Sequence, residues 1–77
     1  MKKMTTFNLL NEFSDKIENI VICYKRGVLT SGECFRGILE IHLEYERLIS
    51  TSEKYFINKN SLIVAINGIT SSVIRIL

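Results

Sequence analysis

FRGILEIHLEYERLIS, Phe35–Ser50, decides how the rest of the chain is read. Phe35, Leu39, Ile41 and Leu43 fall at odd positions; Arg36, Glu40 and His42 fall at even ones. Strand side chains alternate between two faces, so a period of two predicts a long half-buried strand over Glu33–Leu43. Gly37 interrupts its apolar face, as glycine does where a barrel strand bends sharply. YERLIS, Tyr45–Ser50, reads as the next strand, reached with almost no turn.

Upstream, Phe7, Leu10, Phe13 and Ile17 recur at helical spacing, which predicts one short amphipathic helix over about residues 6–17. From Asn19 to Gly27 the run NIVICYKRG is β-branched and aromatic, so it reads as a strand ended by glycine, and LTSG, Leu29–Gly32, has turn composition. Downstream, KYFIN and SLIVAI read as two strands around a polar turn that holds Asn58, Lys59 and Asn60. Asn67-Gly68 marks another turn before SSVIRIL, a last strand over about 71–77. The sum is a single domain over residues 1–77. It is mainly β: a small open barrel of five or six bent antiparallel strands over about 19–67, behind an N-terminal helix.

Composition narrows the function classes. With 77 residues, 47% of them apolar, and a mean hydropathy of +0.19, the chain has more apolar sequence than so small a core uses. Burial of the excess between subunits is expected, hence a homo-oligomer. A net charge of +2 and a pI near 8.7 permit an anionic partner without demanding one. No run of about 18 apolar residues is present, so no membrane span is expected. Cys23 and Cys34 lack CxxC spacing, and with His42 they fall one ligand short of a zinc site. They read as buried thiols of a cytoplasmic protein, with no cofactor. His42 beside Glu40 has no paired nucleophile, and Gly27, Gly32 and Gly37 form no phosphate loop, so an enzyme is not expected.

The order helix, glycine-bent strand, final hairpin with a polar turn resembles the Sm/LSm family, with the bacterial Hfq proteins nearest in character. The likeness rests on FRGILEIHLEYERLIS and INKNSLIVAI and covers roughly Phe7–Asn67; Gly37 takes the place of the family's bending glycine, and Lys59 that of its lysine. Asn58 and Asn60 depart from the family's tyrosine and histidine, and Leu43 stands where an aspartate is usual. Small SH3-like barrels match nearly as well. The resemblance implies a ring of six or seven subunits that binds single-stranded RNA. Lys59 would meet phosphates, Asn58 and Asn60 base edges, and Tyr45 would stack on a base. Lys25 and Arg26, beside Tyr24, form a further cationic cluster for a phosphate chain. Each has a plainer reading, as a turn, a barrel-end cover or a solvated strand terminus. The alternative functions are a protein-interaction module of phage or mobile-element type with a host protein partner, or an oligomer that captures a small nucleotide at subunit interfaces.

Overall fold

The computed structural model describes residues 6–51 and 59–77, apart from the side chains of Thr6 and Phe7. Its elements are three α-helices, α1 Thr6–Lys25, α2 Ser31–Thr51 and α3 Lys59–Ile74. They pack pairwise around one core, and no strand occurs among the described residues.

Each helix places apolar residues at steps of three and four, the spacing of one helical face. In α1 the stripe is Leu9, Phe13, Ile17, Ile20 and Tyr24; in α2 it is Cys34, Ile38, Ile41, Tyr45 and Ile49; in α3 it is Leu62, Ile66, Ile69 and Val73. The innermost of these are almost wholly shielded from solvent, so each helix buries one face against the other two. For helices this rich in β-branched residues, tertiary burial and not intrinsic propensity supplies most of the stability.

The helix over 6–17 is therefore only the first half of α1, and NIVICY continues it where a strand was expected. The barrel over 19–67 and the strand over 71–77 are overturned too, as is the Sm/LSm resemblance that depended on them. Ile38 shows why. It sits at an even position, which a period of two assigns to the polar face, yet it is fully buried. Phe35, Leu39 and Leu43, assigned to the barrel interior, are 43%, 39% and 55% exposed. Gly37 does not bend a strand. It lies within α2 against α1, where an added Cβ would stand 3.0 Å from Ile20 Cδ1, so glycine lets the two helices approach closely. Asn67-Gly68 is not a turn either but part of α3. KYFIN lies outside the described residues.

The α1–α2 corner is built from two capping devices. Gly27 takes φ +78°, the Val28 N–H donates to the Cys23 carbonyl at 2.9 Å, and the Gly27 N–H donates to the Tyr24 carbonyl at 3.0 Å. That pair of bonds is a Schellman ending, which needs a left-handed residue at the position of Gly27. Thr30 then caps α2 together with Glu33. LTSG has turn composition because it contains a helix start.

Candidate functional site

The residues expected to meet RNA are dispersed over the bundle. Tyr45 lies in the core at 2% exposure. Its ring meets Phe13 edge-on at 5.3 Å between centroids, Lys16 Nζ sits 5.1 Å from its centroid, and its hydroxyl donates to Glu12 Oε1 at 2.7 Å. Lys59 opens α3, and its Nζ donates to the Ser50 carbonyl at 3.3 Å, satisfying one of the orphan carbonyls at the end of α2. Asn60 is exposed on the same first turn, and Asn58 lies outside the described residues. Lys25 and Arg26 are exposed at the α1–α2 corner, beside the other end of α2. With 21 residues α2 is about 30 Å long, so the two cationic ends are separated by the length of the bundle.

Two arrangements went unseen in the sequence. The first is a polar line through the α2·α3 contact. His42 Nδ1 lies 2.9 Å from Thr70 Oγ1, and His42 Nε2 lies 3.1 Å from Glu46 Oε2. With the imidazole proton on Nε2, His42 donates to Glu46 and accepts from the Thr70 hydroxyl. Hydroxyl, imidazole and carboxylate in a row resemble a nucleophile relay, but Thr70 is buried between the helices, so the line ties α3 to α2. His42 and Glu46 stand four residues apart in α2, a spacing that only a helical reading brings together. Among the described residues no group of three or more His, Cys, Asp or Glu side chains is placed to hold a metal ion.

The second is a ridge on the outer side of α2. Phe35, Leu39 and Leu43 follow each other at steps of four and are all exposed. Arg36 and Glu40 run beside them on one flank, and Glu40, Leu43, Glu44 and Arg47 line a shallow depression. A helical projection of α2 was the signal that would have found this ridge.

No family model matches the chain, and no curated protein or solved structure matches it. No described helix is long and apolar enough to cross a membrane. With no strand among the described residues to build a barrel, the Sm-like RNA-binding ring falls away, and neither alternative function gains support.

Proposed function

We propose that this three-helix bundle is a non-enzymatic association module whose outer α2 face pairs with a second copy of the chain. The exposed ridge Phe35, Leu39, Leu43 carries this reading. Ridges at steps of four interdigitate with like ridges at a crossing angle near −50°. A two-fold axis at Leu39 sets Phe35 of one copy against Leu43 of the other. The same axis keeps like flanks together, so Arg36 of each copy faces Glu40 of the other, one residue pair of opposite charge repeated twice. This self-complementarity favours a second copy over a partner of other chemistry. The 47% apolar content supports the same reading. The two free cysteines fit action in the reducing cytoplasm.

Light scattering and sedimentation on the purified chain test the proposal. A dimer is expected, and Leu39→Glu should weaken it at least about tenfold, about 1.4 kcal/mol, with the circular dichroism unchanged. A monomer at high protein concentration overturns it.

A further inference from the structure

We infer that Cys23 and Cys34 close a reversible disulfide that staples α1 to α2 within one chain. The helix register brings them together. Tyr45 bonds to Glu12, and two turns along the antiparallel pair Gly37 meets Ile20. Each contact advances eight residues along α1 for eight back along α2. Three more on each helix lead to Cys23 and Cys34, beside the corner.

Local contacts agree. Cys34 Sγ lies 4.0 Å from the carbonyl oxygen of Ile20, three residues before Cys23 in α1. The Gly37–Ile20 approach draws the helices close one turn away. Burial pushes the Cys34 thiol above its ordinary value, and the charge of a nearby Cys23 thiolate pushes it further. Both are free thiols; Cys34 is fully buried and Cys23 half-buried.

That difference in access fixes the order of the chemistry, with a small disulfide such as oxidised glutathione as the oxidant. The Cys23 thiolate attacks one sulfur of the oxidant, whose S–S bond breaks and releases one glutathione thiolate. Cys34 then attacks the Cys23 sulfur as its proton passes to the departing sulfur, expelling the second glutathione as a thiol. Two electrons pass from the cysteines to the oxidant, which leaves as two thiols. The product is a bridge across a hairpin whose native register already opposes the two residues.

The experiment treats the reduced full chain with oxidised glutathione, then maps peptides without reduction and follows thermal unfolding. A Cys23–Cys34 cross-linked peptide is expected, with loss of both titratable thiols. The unfolding midpoint should rise and return on adding dithiothreitol. Cys34→Ser should stop at a stable glutathione adduct on Cys23. Glutathione retained on Cys23 of the unsubstituted chain, a Cys23–Cys23 link between chains, or two surviving thiols would each overturn the inference. The unsubstituted chain decides these outcomes, so the test survives a variant that fails to fold.

Discussion

Thr30 and Glu33 satisfy each other's backbone at the start of α2: the Glu33 N–H donates to Thr30 Oγ1 at 3.1 Å, and the Thr30 N–H donates to Glu33 Oε1 at 3.0 Å. This is a capping box, and it closes two of the amides that a helix N-terminus leaves open. Thr30→Ala should cost about 1 kcal/mol in urea unfolding. The hydrogen bond from the Thr30 backbone, then that from its hydroxyl, holds the Glu33 carboxyl below its ordinary 4.5. A carboxyl lowered in the folded state adds stability above its unfolded value, and that stability is lost as pH falls through the folded value. Unfolding midpoints measured from neutral pH down through that range should fall, and Glu33→Gln should lack this part of the decline.

Gly37 and Gly68 should respond oppositely to added side chains. At Gly37 a Cβ meets Ile20 at 3.0 Å, so Gly37→Leu must push α1 and α2 apart, at a cost of about 1–3 kcal/mol. At Gly68, inside α3, a Cβ meets nothing within 4 Å. Gly68→Ala should therefore stabilise by about 0.5–1 kcal/mol, because glycine in a helix interior loses the most backbone freedom. Urea unfolding of the two variants side by side checks both signs.

Tyr45 predicts behaviour at alkaline pH. Burial, then the hydrogen bond to Glu12, pushes its phenol well above the ordinary 10.0. A group raised in the folded state contributes stability that is complete below its unfolded value and lost as pH rises through the folded one. The bundle should lose stability above about pH 10 as the unfolded chain begins to release this proton. Tyr45→Phe should remove that loss, while giving up about 1 kcal/mol near neutrality with the Glu12 bond. Thermal unfolding across the alkaline range, with and without the substitution, separates the two effects.

Thr70→Val keeps the shape of the side chain but removes the hydroxyl that faces His42 Nδ1 at 2.9 Å. With that imidazole nitrogen left unpaired in a part-buried site, a loss of about 1–3 kcal/mol is expected in urea unfolding. A change within a few tenths of wild type would show that the tie carries no stability.

The first half of α1 was legible because Phe13 and Ile17 recur at helical spacing beside polar neighbours, and both are buried. The second half was not, since Ile20, Val21, Ile22 and Tyr24 are residues that strands favour, and local preference yields to a buried face. In α2, odd-numbered apolar residues happened to alternate with charges, which hid the stripe running through Cys34, Ile38 and Ile41. Ile38 was the contrary residue, and T-S-G-E was the contrary motif. The expected site rested on the barrel, so it dispersed when the barrel went; the His42–Thr70 tie joins residues 28 apart and depended on the packing of α2 against α3.

The third helix carries a kinetic consequence. α3 contains Ser61, Asn67, Gly68, Thr70, Ser71 and Ser72, has no acidic residue in its first turn and no basic one in its last, and so holds little helical preference of its own. It borrows its order from Leu62 and Ile66 against the core and from Thr70 at His42. The α1–α2 hairpin, by contrast, is locked at its corner by two backbone caps. Amide protons of α3 should therefore exchange in an opening that leaves the hairpin closed, ahead of global unfolding. Each such opening briefly bares the apolar underside of the hairpin, making α3 a cover over a latent second surface.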